Sequence, residues 1–357
     1  MSDFEQQLRD GLLRCAGALG DERFRLTIGD DGAWITDARG HDVCYLEAPD
    51  VTPDQAFTPL KKLTGIAGWR LRAGESLKRR QLSIDAPEGD VRTVVIEGTV
   101  ETTDPRIVLD LHIRPGTGRT GLVIGRFQPP HMGHVRTIER MLEECDTVIV
   151  CVGSTQLKAQ VRHPFPWEVR KEMLERLFGS RVRMLPLVDI DSLDTKEDWL
   201  RYVLKRIRQQ NLPEPTDFYA GSIVDARWYS QHFAGNGKTC IRQEPEITTY
   251  EHEDRSKRLH IAHDPAALPI NATDLRTLIE LRDPEWMAYV PEAIHDLVDY
   301  HYPGDLRLPV HGSEPPHDAP AGTRYVAPDG QQYERAPSGE WRPMVERMTP
   351  ERSAARS

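Results

Sequence analysis

The chain has no long hydrophobic run. None of its apolar stretches approaches the ~20 residues that a helix needs to cross a bilayer. The start, Met1-Ser2-Asp3-Phe4-Glu5, has neither the basic region nor the apolar core of a secretory leader. These absences predict a cytoplasmic protein that engages no membrane. Cysteine is scarce: Cys15, Cys44, Cys145, Cys151 and Cys240 are the full set of five, scattered and never in Cys-x-x-Cys spacing. An odd, dispersed set argues against a disulfide framework or a zinc module and for a reducing compartment. Positive charge is in the minority, with 46 Lys and Arg against 56 Asp and Glu and a formal net charge of −10. That balance disfavours non-specific binding to nucleic acid or anionic lipid. Internal repeats are also absent. What is present is a chain of 357 residues, enough for two domains and a tail.

One segment carries most of the chemistry. The apolar run Gly121-Leu122-Val123-Ile124 leads into Gly125-Arg126-Phe127-Gln128-Pro129-Pro130-His131-Met132-Gly133-His134. A helical pattern follows (Val135, Ile138, Met141, Leu142), then a second apolar run, Val148-Ile149-Val150-Cys151-Val152. Strand, glycine-bearing loop, helix and strand make the opening βαβ unit of a parallel sheet. His131 and His134 fall three residues apart at the junction of loop and helix, a spacing that puts both on one side of the first turn. The free N–H groups and positive dipole end of that helix point the same way. Such a site suits a nucleoside triphosphate. Nucleotidyl transfer shifts charge onto a pyrophosphate leaving group, so positioning and electrostatic stabilisation can carry most of the acceleration. Gly125 and Gly133 let backbone approach the phosphates, Arg126 offers a planar fork, and Pro129 and Pro130 stiffen the turn that aims the imidazoles. A zinc site would need a third ligand, and no cysteine or acidic cluster lies nearby to supply one.

This segment resembles the His-x-Gly-His nucleotidylyltransferases, and within them the archaeal-type nicotinamide-nucleotide adenylyltransferases, whose signature is Gly-Arg-Phe-Gln-Pro-Phe-His-x-Gly-His. Pro130 stands where that family has Phe. Gly153-Ser154-Thr155-Gln156 and Arg162-His163-Pro164-Phe165 are similar to the family's next segments, with Pro166 in place of Thr and Val169 in place of Glu. Asp217 to Ser222 resembles its Tyr-Ser-Gly-Asn loop around Gly221, and Ile270-Asn271-Ala272-Thr273-Asp274-Leu275-Arg276 its Ile-Ser-x-Thr-x-x-Arg motif, with Asn271 for Ser. The resemblance implies a Rossmann-like parallel sheet, α/β in class, over about 121–302. It implies an enzyme that joins ATP, carrying Mg²⁺, to nicotinamide mononucleotide (NMN), giving NAD and pyrophosphate. His131, His134 and Arg276 would be catalytic. Gly125, Arg126, Phe127, Gln128, Gly133, Gly221, Asn271, Thr273 and Arg276 would bind ATP. Arg162 would meet the phosphate of the mononucleotide, with Asp189 and Trp199 near its nicotinamide ring. The alternatives are a cytidylyltransferase or pantetheine-phosphate adenylyltransferase of the same superfamily, or a nucleotide-sensing or assembly protein with weakened catalysis.

The flanks carry no such motif. Residues 1–115 are expected to form a separate α+β domain. It would begin with an amphipathic helix (Phe4, Leu8, Leu12, Leu13, Ala16), followed by strands at 24–28, 33–36 and 43–46, a short helix around 55–63, and a hairpin of 92–100 with 107–113. Regulation or protein docking is the role expected of it, and homo-oligomerisation is left open. Residues 116–120 read as a linker and Gly235-Asn236-Gly237 as a turn. The charged stretch Tyr250 to Arg258 is expected to be a flexible loop. Asn271 and Thr273 are expected to cap a helix starting near Asp274. Residues 303–357 read as a Pro/Gly-rich, mostly disordered tail with one hairpin signal at Tyr325 to Tyr333 and Trp341 beyond.

Overall fold

The computed structural model describes residues 22–29, 32–47, 80–85, 91–102, 107–190, 196–229, 238–262, 272–317, 319 and 322–344. The expected helices near Phe4 and 55–63, the Gly235-Asn236-Gly237 turn and Asn271 lie outside the described residues. The chain divides into two compact units: 1–127, 132–155 and 174–269 form one, and 128–131, 156–173 and 270–357 form the other.

The first unit begins with strands β1 (Glu22–Gly29), β2 (Gly32–Asp37), β3 (Asp42–Glu47), β4 (Arg80–Asp85), β5 (Val91–Thr102) and β6 (Ile107–Pro115). They form one antiparallel sheet in the order β3-β2-β1-β6-β5-β4. The alternation that predicted these strands is also what builds the sheet. Phe24 and Leu26 are buried opposite Leu111 and Leu109, whereas Arg23 and Arg25, which alternate with them, are exposed. The expected hairpin of 92–100 with 107–113 is the β5–β6 pair.

A second sheet follows in the same unit. Its strands are β7 (Thr120–Gly125), β8 (Thr147–Val152), β9 (Arg183–Pro186), β10 (Asp217–Ala220), β11 (Lys238–Gln243), β12 (Ile247–His252) and β13 (Arg258–Ala262). The order is β11-β12-β13-β10-β7-β8-β9, with β13-β10-β7-β8-β9 all parallel. Helix α1 (Met132–Glu144) connects β7 to β8 and buries Val135, Ile138, Met141 and Leu142, the face its spacing predicted. Helix α2 (Trp167–Phe178) follows β8, and α3 (Lys196–Gln209) follows β9, with Leu200, Val203 and Ile207 in the core beside Leu122, Ile149 and Phe218. The chain leaves β7 for β8 on one side, and β10 joins β7 on the other. The strand order therefore reverses between β7 and β10, and the carboxyl ends at such a reversal are where open α/β sheets hold their ligands. The α/β class with a Rossmann-like parallel sheet is realised here.

The opposite end of this sheet is closed by buried charge. His260 Nε2 lies 2.9 Å from Asp217 Oδ1, its Nδ1 lies 3.0 Å from Thr249 Oγ1, and its ring stacks on Tyr219 at 4.2 Å. Arg119 Nε meets Asp217 Oδ2 at 2.6 Å. Tyr250 to Arg258 is therefore not a free loop. It is the end of β12, a turn and the start of β13, because Thr248, Thr249 and His260 are polar yet buried and obscure the alternation. The two sheets of this unit are joined through Arg114 of β6. Its guanidinium donates to Cys145 O at 2.6 Å and Leu142 O at 3.3 Å, carbonyls at the end of α1, and meets Asp146 Oδ1 at 3.4 Å.

In the second unit, α4 (Ala272–Leu281) buries Leu275, Arg276 and Ile279, and α5 (His295–His301) buries Leu297 and Val298. The tail is more ordered than expected. β14 (Val310–His311), β15 (Arg324–Val326), β16 (Gln332–Arg335) and β17 (Trp341–Pro343) form a four-stranded sheet, of which the predicted hairpin is the middle pair. Buried Arg307 anchors that tail, donating to Asp299 Oδ1 at 2.7 Å and Asp299 O at 2.8 Å.

Candidate functional site

In the first unit the carboxyl end of β7 carries Gly125, whose carbonyl accepts from the Gly153 N–H at 2.9 Å. A Cβ at Gly125 would come within 3.0 Å of Phe127 Cε2 and Cζ. The glycine is thus required by the Phe127 ring, which is 1% exposed on a backbone with φ +52°. Arg126 between them is exposed. Gly133 and His134 lie in the first turn of α1, which contains no acidic residue, so its positive end is not compensated from within the helix. The His134 ring is half-buried and packs 4.6 Å from Phe127. Phe127 therefore supports the imidazole rather than offering its own face.

Asp189 is exposed beyond β9, where Val188 N donates to Tyr202 Oη at 3.4 Å. Trp199 is half-buried on α3, 5.4 Å from Tyr202 and edge-on to Trp228 at 6.1 Å. Gly221 is exposed just past β10, and a Cβ there would meet nothing nearer than Asp225 Oδ2 at 3.6 Å. Ser222 after it caps a single helical turn, accepting from Asp225 N.

In the second unit, Gln128 is 1% exposed and its amide is spent on one backbone position. Phe165 N–H donates to Gln128 Oε1, and Nε2 donates to Phe165 O, both at 2.9 Å. His131 is half-buried just before α1, and burial pushes its imidazole pKa down to about 4. At neutral pH it is uncharged, with one N–H to donate. Arg162 is exposed at the tip of a turn closed by Gln160 N to His163 O at 3.2 Å and His163 N to Gln160 O at 2.8 Å. Arg276 is 8% exposed, donating to Gln128 O at 3.4 Å and Thr273 Oγ1 at 3.1 Å. Thr273 is the second residue of its helix, not a cap, because the helix begins at Ala272.

Of the residues singled out from the sequence, Gly125, Arg126, Phe127, Gly133, His134, Asp189, Trp199 and Gly221 fall in the first unit. Gln128, His131, Arg162, Thr273 and Arg276 fall in the second. Gln128, Thr273 and Arg276 are directly connected. At the departures, Pro130 and Val169 are buried. Among the described residues no group of three or more His, Cys, Asp or Glu could hold a metal ion. No helix among them is long and apolar enough to cross a membrane.

Residues 122–232 match the cytidylyltransferase-like family. The chain is similar to the nicotinamide-nucleotide adenylyltransferase of Caldivirga maquilingensis, 27% identical over 203 residues, which is 55% of this chain and 97% of that protein. The enzyme of the same name from Pyrobaculum aerophilum is 26% identical over 206 residues, 56% of this chain and 98% of that one. Among solved structures it matches a bifunctional NMN adenylyltransferase/ADP ribose pyrophosphatase from Francisella tularensis, with 20% identity and a TM-score of 0.35, over 51% of this chain and 53% of that chain.

Proposed function

Because residues 122–232 carry a cytidylyltransferase-like domain, we propose that this protein is a nicotinamide-nucleotide adenylyltransferase, making NAD and pyrophosphate from ATP and NMN. The observation that carries the reading is the start of α1. A helix N-terminus with no acidic residue in its first turn, bearing His134, follows β7 beside the reversal of strand order. The similarity to the two archaeal enzymes supports the choice of NMN as acceptor.

In the reaction, a phosphate oxygen of NMN attacks the α-phosphorus of ATP. The bond from that phosphorus to the bridging oxygen breaks, and pyrophosphate leaves with the charge. No covalent enzyme intermediate is needed, so the protein's work is to orient and to stabilise charge. His134 donates from the first turn of α1, with Gly125, Arg126 and Gly133 contributing backbone and charge for the triphosphate. By the resemblance His131 and Arg276 are further donors to the phosphates, and within the second unit Thr273 accepts from the Arg276 guanidinium. Arg162 takes the NMN phosphate. Trp199 offers an indole to the pyridinium ring, with Asp189 close by. Phe127 and Gln128 serve by holding neighbours rather than by touching ATP. Mg²⁺ would arrive with ATP, bound to its phosphate oxygens, and would share the charge of the leaving pyrophosphate.

The test is direct. Full-length protein is incubated with Mg²⁺ and ATP plus NMN, nicotinate mononucleotide or phosphopantetheine, and with CTP plus phosphocholine, and pyrophosphate and product mass are measured. NAD formation is expected. Turnover only with another acceptor, or with none, rejects the assignment.

A further inference from the structure

Resting on the function just proposed, we infer that Gln128 is a positioning residue that holds the acceptor-side turn carrying Arg162 and the triphosphate-side Arg276 in one rigid frame. The frame is a closed ring of contacts within the second unit. The Gln128 amide binds both the N–H and the C=O of Phe165, at 2.9 Å each. Phe165 meets the edge of Tyr302, with ring centroids 5.6 Å apart. Tyr302 Oη donates to Glu280 Oε1 at 2.9 Å, and Glu280 lies on the same helix as Arg276. Arg276 returns to the carbonyl of Gln128 at 3.4 Å.

Each link is buried or nearly so. Gln128 is 1%, Phe165 0% and Tyr302 1% exposed. A paired amide in such surroundings has no water to exchange with, so its geometry is fixed by its partners. Phe165 ends the segment His163-Pro164-Phe165, all buried, which roots the tight turn that presents Arg162 to solvent. The Gln128 side chain therefore sets where that turn stands, and its carbonyl helps set where the Arg276 guanidinium points. An ordinary core glutamine would connect two structural segments. This one connects the loop that precedes His131 to the two arginines assigned to opposite ends of the reaction. Its contribution to turnover is the spacing of the two arginines, with no contact to substrate.

The experiment uses full-length protein with Gln128→Met, Arg162→Ala and the double variant, measuring KM for NMN and for ATP, kcat and thermal unfolding. The expected result is a rise of about tenfold in KM for NMN together with a fall of about tenfold in kcat for Gln128→Met. Arg162→Ala should then cost at least about threefold less in the Gln128→Met background than in the wild type, because the turn is already misplaced. Additive effects, or a lowered unfolding temperature with unchanged KM and kcat, overturn the inference. If Gln128→Met does not fold, Tyr302→Phe opens the ring at the Glu280 link while keeping the aromatic packing, and the same cycle is run with it. Should the wild type form no NAD, the adenylyltransferase reading fails by itself. The frame is then decided by hydrogen exchange: Gln128→Met, or Tyr302→Phe in its place, should raise exchange in 160–166 and 273–280 together. A rise in only one of the two segments, or in neither, refutes it.

Discussion

The two sheets of the first unit are built from similar numbers of strands and do opposite things with their surfaces. The antiparallel sheet β3-β2-β1-β6-β5-β4 alternates, burying Phe24 and Leu26 and leaving Arg23 and Arg25 outside. Charge on its open face sits in water: Arg25 and Asp110 pair at 3.0 Å with side chains 57% and 44% exposed. In the mainly parallel sheet, β10 is buried along its whole length and β8 along all but its first residue. Its charge is inside, with Asp217 and His260 paired at 2.9 Å and side chains 1% and 2% exposed. In the first sheet, strands adjacent in the chain pair side by side, β1 with β2, β2 with β3, β4 with β5 and β5 with β6. In the second, β7 passes through α1 into the parallel β8, and Gly125 and His134 stand between them. The lesson is that covering both faces of a sheet forces function to its ends.

The largest effect should come from removing the buried carboxylate. Burial alone would raise the Asp217 pKa, but bonds from His260, Arg119 and Thr216 hold it below the ordinary value. Asp217→Ala strands the buried His260 and the partly buried Arg119 and should cost about 4 kcal/mol in urea unfolding. A loss under about 1 kcal/mol would erase the contrast drawn here. Next in size is His134→Ala. It should lower kcat about 100-fold, ~2.7 kcal/mol of transition-state stabilisation, with the circular dichroism spectrum unchanged. Near-normal turnover would remove His134 from the chemistry.

A smaller effect is expected from acid. The folded-state pKa of His131 lies below its ordinary 6.5, at about 4, so the folded protein binds fewer protons than the unfolded chain between those values. Stability present above pH 6.5 is therefore lost as pH falls toward 4. The share due to His131 between pH 7 and 5 should be about 2 kcal/mol, and His131→Gln should abolish that share. Parallel stability curves for the two proteins would show that His131 is solvated. The smallest effect belongs to the open sheet face, where Arg25→Ala should change stability by less than about 0.5 kcal/mol and kcat not at all. A larger stability change would mean that this face is covered.

Much of this arrangement was legible in the chain. Alternation marked β1, β2, the β5–β6 hairpin and the tail hairpin, and the 3.6-residue period marked α1 and its buried face. The strand-loop-helix-strand order around Gly125 announced a parallel sheet and the place of His134. The failures share one cause. Tyr250 to Arg258 looked like a loop because Thr248, Thr249 and His260 are polar, and nothing local reveals that Asp217 and Tyr219 wait for them. The tail looked disordered because its anchor, Arg307, is a charge whose partners make it a core residue.

Local order therefore came from the sequence alone: the period of apolar residues, the glycine loop and the residue types able to handle phosphate. Each depends only on neighbours within a turn or a strand. Tertiary structure decided which polar groups are interior and what they hold. Gln128 is an expected ATP ligand by resemblance, and folding adds that its amide holds both backbone groups of Phe165, 37 positions away. A polar side chain can reach a backbone far along the chain, and only folding brings that partner to it.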